Sequence, residues 1–366
     1  MKTINKDGLS WSGRYLDHEG IRYFDYSASG FCFVMKGRSA KAVILSDSDD
    51  WDSTTKAVLG IFVTEGNDTS TNAIPEEPAF RITLNERENH IVLFEADVEK
   101  TVCIRVMKFS EDAFAYAGFK SLEIDGELQS PKELVTSRQQ LKLEFIGDSI
   151  TCGYGIEGIC GKDSFNTQQE RPDKAYAFLT AKALGAQVQL CSWSGIGITS
   201  NYADPQTVNF PLTQWLMQSN WPYTDKSLSL RLGLEPEVWD AVRYEPDIVI
   251  INLGTNDMSW VRGMEDRRLN YVANLRHLIE AVHRRSPKAA ICCCLGIMGE
   301  ALNNSAAEAV ELFNKDFPAV KIKFLPFKMQ LEEYGYCTDW HPSALAHKKS
   351  AELLTKELMS LSGLNR

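Results

Sequence analysis

The chain has 366 residues, a length that suggests two domains, and its 44% hydrophobic content is ordinary for a globular protein. Aspartate plus glutamate (49) exceed lysine plus arginine (39), so the formal net charge is −10. Nucleic acids and anionic membrane surfaces attract basic proteins, so neither is expected as a partner of this chain. Neutral and cationic ligands remain possible partners.

The N-terminal residues MKTINKDGLSWSGRY lack the apolar segment of a secretory signal. No stretch of the chain approaches the roughly 20 apolar residues that a membrane-spanning helix requires. We therefore expect a cytoplasmic protein that does not enter a membrane, unless a signal has been removed. The sequence leaves homo-oligomerisation open.

Residues 1–135 have the composition of a β domain. Short segments rich in β-branched and aromatic residues alternate with clusters of Gly, Asn, Asp and Ser, which predicts a sandwich or a barrel. The segment SPKELVTSRQQ, which begins at Ser130, is expected to connect this domain to a second one, residues 136–366. The predicted strands lie in GIRYFDYSASGFCFVMKG, AKAVILSD, LGIFVTEG, FRITLNE, NHIVLFEA and TVCIRVMKF.

From Leu141 onward, apolar strands alternate with amphipathic helices. This pattern predicts a parallel sheet that is covered on both faces, and in such sheets functional sites form beyond the carboxyl ends of the strands. The predicted strands are LKLEFIG, QVQLCSWSG, DIVIINLG, AAICCCLG and VKIKFLPF, and the predicted helices are KAYAFLTAKALG, RRLNYVANLRHLIEAVHRR, SAAEAVELFNKDF and SALAHKKSAELLTKELMSL.

Nine cysteines are an odd number in a long chain, which does not indicate a disulfide framework. Cys292, Cys293 and Cys294 are consecutive within a predicted strand, where their side chains alternate between the two faces and cannot all reach one metal ion. We interpret them as buried core residues.

The first strand of the second half runs into Gly147-Asp148-Ser149-Ile150. A serine just past a buried strand is well placed as a nucleophile, because the end of the strand holds its hydroxyl at the edge of the sheet. Taken alone, the same serine could instead cap the following segment.

Two further strands end in polar or glycine-containing motifs. Gly254-Thr255-Asn256-Asp257 supplies an amide that can donate to a developing oxyanion, although these residue types also favour turns. Ser194-Gly195 follows the second strand, and a glycine there can present its backbone N–H without a side chain in the way. An ordinary strand-to-helix turn would have the same composition.

The last strand is followed by Asp339-Trp340-His341-Pro342-Ser343 and then by a helix. His341 is suited to take a proton from Ser149, and Asp339 could orient its ring. The other five histidines lie on helical stretches or in the strand-rich half and are interpreted as structural or exposed.

Together the GDSI block, Ser194-Gly195, the GTND block and the DWHP block resemble the motifs of the SGNH (GDSL-like) hydrolases, over residues 141–361. With its β-rich N-terminal half, the whole chain is similar to carbohydrate esterase family two, whose members pair a jelly-roll domain with an SGNH domain and include acetyl xylan esterases. The resemblance implies a β-sandwich (jelly-roll) domain followed by an α/β flavodoxin-like hydrolase domain. Ile150 stands where the motif usually has Leu.

The resemblance also implies the roles of the site residues. Ser149 matches the nucleophile, and its own N–H, the N–H of Gly195 and the side chain of Asn256 match the oxyanion hole. His341 matches the base and Asp339 its acidic partner, although the resembled family includes members in which this acid is missing and a backbone carbonyl orients the histidine, so a Ser149–His341 dyad stays open. Such acyl transfer through an acyl-enzyme needs no metal and no organic cofactor.

Trp193, Trp260 and Trp340 each lie within four residues of a proposed site element. Indole faces pack well on sugar rings, and the family resemblance favours that role, although core packing is the alternative, more so for Trp193 than for Trp340, which adjoins His341. The segment WLMQSNWPYTDKSLSLRLGLEPEVWDAV, from Trp215, is expected to form an insertion over the site. Gly153 to Gly158 match G-x-G-x-x-G, but no helical pattern follows, so a dinucleotide site is not expected.

Three functions are compatible with these observations. The first is an esterase that removes acetyl groups from a plant-type polysaccharide or oligosaccharide, so that an acetylated carbohydrate is the expected partner. The second is an SGNH lipase or thioesterase that acts on longer acyl chains. The third is a non-catalytic carbohydrate-binding protein, which the set of Ser149, Asn256 and His341 disfavours.

Overall fold

The computed structural model of the protein describes residues 1–66, 74–129, 140–206 and 215–362. Residues 130–139 of the predicted domain connection, and with them the boundary at residue 135, lie outside these described residues. Among the helices described, none is both long and apolar enough to cross a bilayer. The chain divides into two compact units, Met1–Gln140 with Asn166–Gln168, and Leu141–Phe165 with Gln169–Arg366.

The first unit is built on antiparallel strands. Its described strands are β1 (Lys2–Ile4), β2 (Ser10–Ser12), β3 (Leu16–His18), β4 (Ile21–Phe24), β5 (Gly30–Leu45), β6 (Val58–Glu65), β7 (Phe80–Thr83), β8 (Glu88–Lys108) and β9 (Ala117–Gln129). Their order in the sheet is β3-β4-β9-β5-β8-β6-β7, and β1 and β2 pair with β9 and β5.

Two strands of this unit are longer than the sequence predicts. AKAVILSD continues the preceding strand as the 16-residue β5, and NHIVLFEA and TVCIRVMKF together form the 21-residue β8. The pairing of β5 with β8 shifts register between Gly37 and Ser39. A bulge of this kind bends a strand without reversing the chain. The two predicted strands therefore form one bent strand rather than two strands joined by a turn. The core of the unit includes Phe31, Phe33 and Phe119.

The second unit contains the predicted parallel sheet. Its strands run in the order β11-β10-β12-β13-β14, which is the order of flavodoxin-like sheets. Every residue of β12 and β13 is buried, as expected for central strands covered on both faces. The cysteines 292–294 are among them. The strands are β10 (Lys142–Gly147), β11 (Gln187–Ser192), β12 (Ile248–Asn252), β13 (Ala290–Leu295) and β14 (Ile322–Pro326).

The second unit has eight described α-helices, and four of them form two packed pairs. The eight helices are α1 (Ser149–Cys152), α2 (Tyr176–Leu184), α3 (Met217–Asn220), α4 (Lys226–Arg231), α5 (Thr255–Val261), α6 (Glu265–Arg285), α7 (Asn303–Asp316) and α8 (Ala344–Ser362). Helix α2 packs against α8, and α6 packs against α7. Strand-to-strand crossovers are right-handed, and the strand order reverses after β11, so the two pairs cover opposite faces of the sheet.

Candidate active site

Ser149 begins helix α1 immediately beyond the end of β10. The carboxylate of Asp148 accepts the N–H of Ile150 at 3.1 Å and caps the helix, so the cap is Asp148 and the hydroxyl of Ser149 is free for another partner. A Cβ at Gly147 would lie 2.0 Å from the hydroxyl of Thr151, so only glycine allows the chain to turn this closely into α1.

His341 is the partner of that hydroxyl. Its Nε2 lies 2.8 Å from the Oγ of Ser149, and its Nδ1 lies 3.1 Å from the backbone oxygen of Thr338. A carbonyl oxygen only accepts, so Nδ1 carries the proton and Nε2 is left to accept the hydrogen of Ser149. The structure thus brings together the predicted nucleophile and the predicted base, which are far apart in the sequence.

Asp339 does not take the position that the sequence predicted for it. Its carboxylate accepts a hydrogen bond from the hydroxyl of Tyr154 at 2.9 Å, while the carbonyl of Thr338 bonds the imidazole. The reason is the backbone, because Asp339 has the left-handed φ of +52° and Trp340 one of +64°. This conformation directs the carbonyl of Thr338 to the ring and the side chain of Asp339 to Tyr154.

Burial lowers the pKa of His341 to about 4, while the hydrogen bond to Thr338 and the charge of Asp339 act more weakly in the opposite direction. The imidazole is therefore neutral at neutral pH, as a general base must be. Nearby His347 is fully buried, and its Nδ1 accepts the N–H of Tyr176 at 3.1 Å, so its predicted structural role agrees with its position.

Asn256 and Gly195 lie beyond the ends of β12 and β11. The amide of Asn256 donates to the carbonyl of Ile196 at 2.8 Å, which ties the first turn of α5 to the loop that contains Gly195. An amide has two N–H bonds, and this contact uses one of them. Gly195 has a left-handed φ of +75°, and a Cβ there would meet no atom within 4 Å, so the space beside its backbone is open.

Asp257, which sequence reasoning missed, holds the same loop. Its buried carboxylate accepts the backbone N–H groups of Ile198, Thr199 and Ser200. Burial raises its pKa to about 6, and burial together with the charge of Asp257 raises the pKa of Asp148 to about 7. The signal in the sequence was the last residue of the GTND block, an acidic side chain directly after Asn256 that does more than favour a turn.

The three tryptophans differ in exposure. Trp340 is 64% exposed and packs beside Tyr336, with ring centroids 5.3 Å apart. Trp193 is half-buried. Trp260 is only 8% exposed, and the guanidinium of Arg267 lies over its ring at 4.7 Å. Of the three tryptophans predicted to bind sugar, Trp260 therefore offers the least accessible indole surface.

A cavity of about 240 Å³ opens beside Gly195. Trp215, the first residue of the expected insertion, packs against Trp193 with ring centroids 5.7 Å apart and so brings that segment to the cavity. Trp215 and Tyr202 were not singled out in the sequence, since aromatic residues in long loops give no periodic signal. The cavity is lined by Trp193, Ser194, Gly195, Ile196, Asn201, Tyr202 and Trp215.

Comparison with known proteins identifies the family of the chain. Residues 145–349, more than half of the chain, match the model of the GDSL-like lipase/acylhydrolase family. The chain belongs to that family. The resemblance drawn from the GDSI, GTND and DWHP blocks is confirmed, and the α/β unit described above is the GDSL-like part of the molecule.

Relatives of this GDSL-like chain include carbohydrate esterases. Cellulase/esterase CelE of Acetivibrio thermocellus is 31% identical over 365 residues, 97% of this chain, which spans only 40% of that protein's length. An acetylxylan esterase / glucomannan deacetylase of Cellvibrio japonicus is 27% identical over 79% of this chain and 75% of its own.

Solved structures extend the similarity to both units. A family two carbohydrate esterase from Clostridium thermocellum, in complex with cellohexaose, has a TM-score of 0.80 and 29% identity, covering 98% of this chain and 100% of its own. An acetyl xylan esterase from the rumen bacterium Butyrivibrio proteoclasticus has a TM-score of 0.82 at 21% identity, covering 99% of this chain and 97% of its own, which shows the shared fold alone.

Proposed function

We propose that this chain is a serine esterase that removes O-acetyl groups from a plant-type polysaccharide or oligosaccharide. The observation that carries the proposal is the 2.8 Å contact between Ser149 Oγ and His341 Nε2, with the opposite ring nitrogen fixed by the carbonyl of Thr338. A hydroxyl paired with a neutral, oriented imidazole is the arrangement that activates serine for attack on an ester.

The proposed reaction has two steps. The oxygen of Ser149 attacks the ester carbonyl while its proton passes to Nε2 of His341, and the sugar hydroxyl then leaves with that proton. Acetyl-Ser149 remains until His341 removes a proton from water, which attacks the acetyl carbonyl and releases acetate. In both steps the N–H groups of Ser149 and Gly195 and the amide of Asn256 would bind the oxyanion.

The proposed substrate class is supported by the relatives and by the aromatic side chains of this chain. The relatives' names include acetylxylan esterase and glucomannan deacetylase, and the structure of one was solved with cellohexaose. In this chain the exposed Trp340 adjoins His341, and Trp193 lines the cavity beside Gly195. Indole faces pack well on sugar rings, so these two residues would support the carbohydrate. A neutral polysaccharide also suits a chain of net charge −10.

We also infer that the antiparallel strands of the first unit form the jelly-roll sandwich that the family resemblance implies. The support is the 29% identity and 98% coverage of this chain in the match to the family two carbohydrate esterase.

Acyl-chain length separates the proposed acetylesterase from a lipase or thioesterase of the same family. The wild-type protein should hydrolyse p-nitrophenyl acetate much faster than p-nitrophenyl octanoate, and should release acetate from acetylated xylo-oligosaccharides. The Ser149→Ala variant provides the blank for each substrate. Equal or faster cleavage of the octanoate would contradict the proposal, and turnover of neither ester would favour a protein that only binds carbohydrate.

A further inference from the structure

Three aromatic rings pack one against the next in the candidate active site, and only the first, the imidazole of His341, belongs to the serine–histidine pair. The ring of Tyr154 packs on the imidazole of His341, with centroids 4.3 Å apart and planes inclined by 35°. On the other side, Phe165 lies parallel to Tyr154, with centroids 3.9 Å apart and planes inclined by 5°. Tyr154 therefore separates the base from Phe165.

The backbone of Tyr154 is attached to the helix that carries the nucleophile. Its N–H donates to the carbonyl of Ser149 at 3.1 Å, and Gly153, with φ +80°, caps that helix. The N–H of Arg171 donates to the carbonyl of Gly153 at 3.0 Å and holds this turn from outside. The position of the Tyr154 ring is thus fixed relative to Ser149.

The hydroxyl of Tyr154 reaches the segment that carries the base. It donates to the carboxylate of Asp339 at 2.9 Å, two residues before His341. One side chain therefore contacts the imidazole with its ring and the preceding loop with its hydroxyl. The contacts of Nδ1 with Thr338 and of Nε2 with Ser149 hold two edges of the imidazole but leave rotation about the line that joins them, and the face of Tyr154 opposes that rotation.

We propose that Tyr154 is a positioning residue, whose ring holds the imidazole of His341 in line with Ser149 and keeps water from one of its faces. This inference rests on the proposed esterase function. The same ring face stabilises the imidazolium that forms when Ser149 gives up its proton, since aromatic faces attract cations. Phe165 supports the arrangement by covering the far side of Tyr154.

Few titratable groups face the imidazole. Asp339, on its own segment, raises the pKa of His341, while burial lowers it more strongly. His347 on α8 is itself kept neutral, because burial lowers its pKa to about 3. Ser149 on α1 faces Nε2 as a neutral hydroxyl. Burial is therefore the largest influence on the pKa of His341, and the ring of Tyr154 is one of the groups packed against the imidazole.

The test compares Tyr154→Ala, Tyr154→Phe and wild type by NMR titration of the His341 imidazole and by kcat and KM on p-nitrophenyl acetate. Tyr116→Ala is the matched control, since Tyr116 is also half-buried and packs on another aromatic ring, that of Tyr23 in the first unit. Thermal unfolding of each variant checks that it is folded. If the alanine variant does not fold, Tyr154→Leu, which keeps apolar volume without a flat ring, replaces it in the kcat comparison.

We expect Tyr154→Ala to raise the His341 pKa by at least about one unit and to lower kcat about tenfold with little change in KM, because lost positioning acts on the chemical step. Tyr154→Phe should retain the pKa and remain within about threefold of the wild-type kcat. Wild-type pKa and kcat in the alanine variant would overturn the proposal, as would equal impairment of the phenylalanine variant. If the wild-type protein shows no esterase turnover, the proposed function fails, while the NMR comparison still tests Tyr154.

Discussion

Ser149 and His341 meet at 2.8 Å but are held by two different kinds of structure. The strand-end half of the site consists of Ser149, Gly195 and Asn256, which follow closely on β10, β11 and β12. Parallel strands that are paired in register end at one edge of the sheet, so these residues converge without further help. This half is positioned by the fold itself.

The histidine loop, residues 327–343 between β14 and α8, depends instead on individual contacts. The amide of Gln330 donates to the carbonyl of Trp340 at 2.7 Å, and the hydroxyl of Thr338 donates to Gln169 at 2.9 Å. Two successive non-glycine residues, Asp339 and Trp340, have positive φ, which is uncommon and costs conformational energy. A loop can therefore orient the imidazole of His341 with a backbone carbonyl, where the sequence suggests the carboxylate of Asp339.

Removal of the nucleophile should have the largest effect. We expect Ser149→Ala to lower kcat for p-nitrophenyl acetate by about 10⁴- to 10⁶-fold, because serine and histidine act as a unit. Ser350→Ala, a substitution of another buried serine in the same unit, should leave kcat near wild type. Circular dichroism should show both variants folded, and substantial activity in Ser149→Ala would refute the assignment of the nucleophile.

Substitution of Asn256 tests whether the strand-end half of the site stabilises the oxyanion. Asn256→Ala should lower kcat by about 10²- to 10³-fold, the usual cost of losing one oxyanion donor. The matched control is Asn220→Ala, which also removes a buried amide that donates to a backbone carbonyl, that of Leu216. If the two variants lose activity equally, Asn256 acts only by holding the loop.

The histidine loop should determine the acid limb of the pH profile. With the pKa of His341 lowered to about 4 by burial, the imidazole stays neutral in mildly acidic solution. From pH 8 to pH 5, kcat/KM should therefore fall by less than about twofold, whereas a histidine of ordinary pKa near 6.5 would lose about thirtyfold. An apparent pKa near 6.5 would contradict the burial of the base.

Acid unfolding must be separated from this effect. A histidine whose folded pKa lies below its unfolded value weakens folding as the pH falls below about 6.5, because the unfolded chain binds the proton more readily. His341 and His347 both have this sign. Tryptophan fluorescence recorded at each pH identifies the range in which the protein is folded and the kinetic comparison is valid.

The exposed indole beside the base should affect carbohydrate substrates selectively. Trp340→Ala should lower kcat/KM for acetylated xylo-oligosaccharides about tenfold and that for p-nitrophenyl acetate much less, since only the former offers a sugar ring to the indole face. Phe317→Ala removes another exposed aromatic ring, 37% accessible, and serves as the control. An equal loss on both substrates would mean that Trp340 only supports His341.

The elements that follow periodic patterns could be predicted from the sequence. The five parallel strands and the long helices of the second unit lie where apolar runs and helical spacing placed them, and the helix ending at Leu184 is followed by Gly185 in left-handed conformation as expected. Ser149 and His341 could be singled out, and do lie in contact, because the motif of each lies beyond a strand or before a helix. These features depend on residues that are neighbours in the chain, so they can be predicted without knowledge of the tertiary structure.

Features that depend on loop backbone or on distant contacts could not be predicted. Trp260 was proposed as a sugar platform from its position in the chain, but its burial beneath Arg267 depends on tertiary packing. The joining of two predicted strands into β8 depends on pairing with β5 and β6 rather than on any local turn signal. The choice between Asp339 and a backbone carbonyl as the partner of His341 could not be made from the sequence, because two positive φ angles leave no mark in the residue types Asp339 and Trp340.

The central claim is that His341 works with Ser149 and is oriented by the backbone of Thr338, with Asp339 outside the hydrogen-bonded pair. The direct test measures kcat of His341→Ala and Asp339→Asn on one soluble acetate ester. Asparagine keeps an acceptor for Tyr154, and the exposed carboxylate exerts only a weak field, so Asp339→Asn should lose less than about fivefold while His341→Ala loses about 10⁴-fold or more. A loss in Asp339→Asn as large as that in His341→Ala would contradict this account.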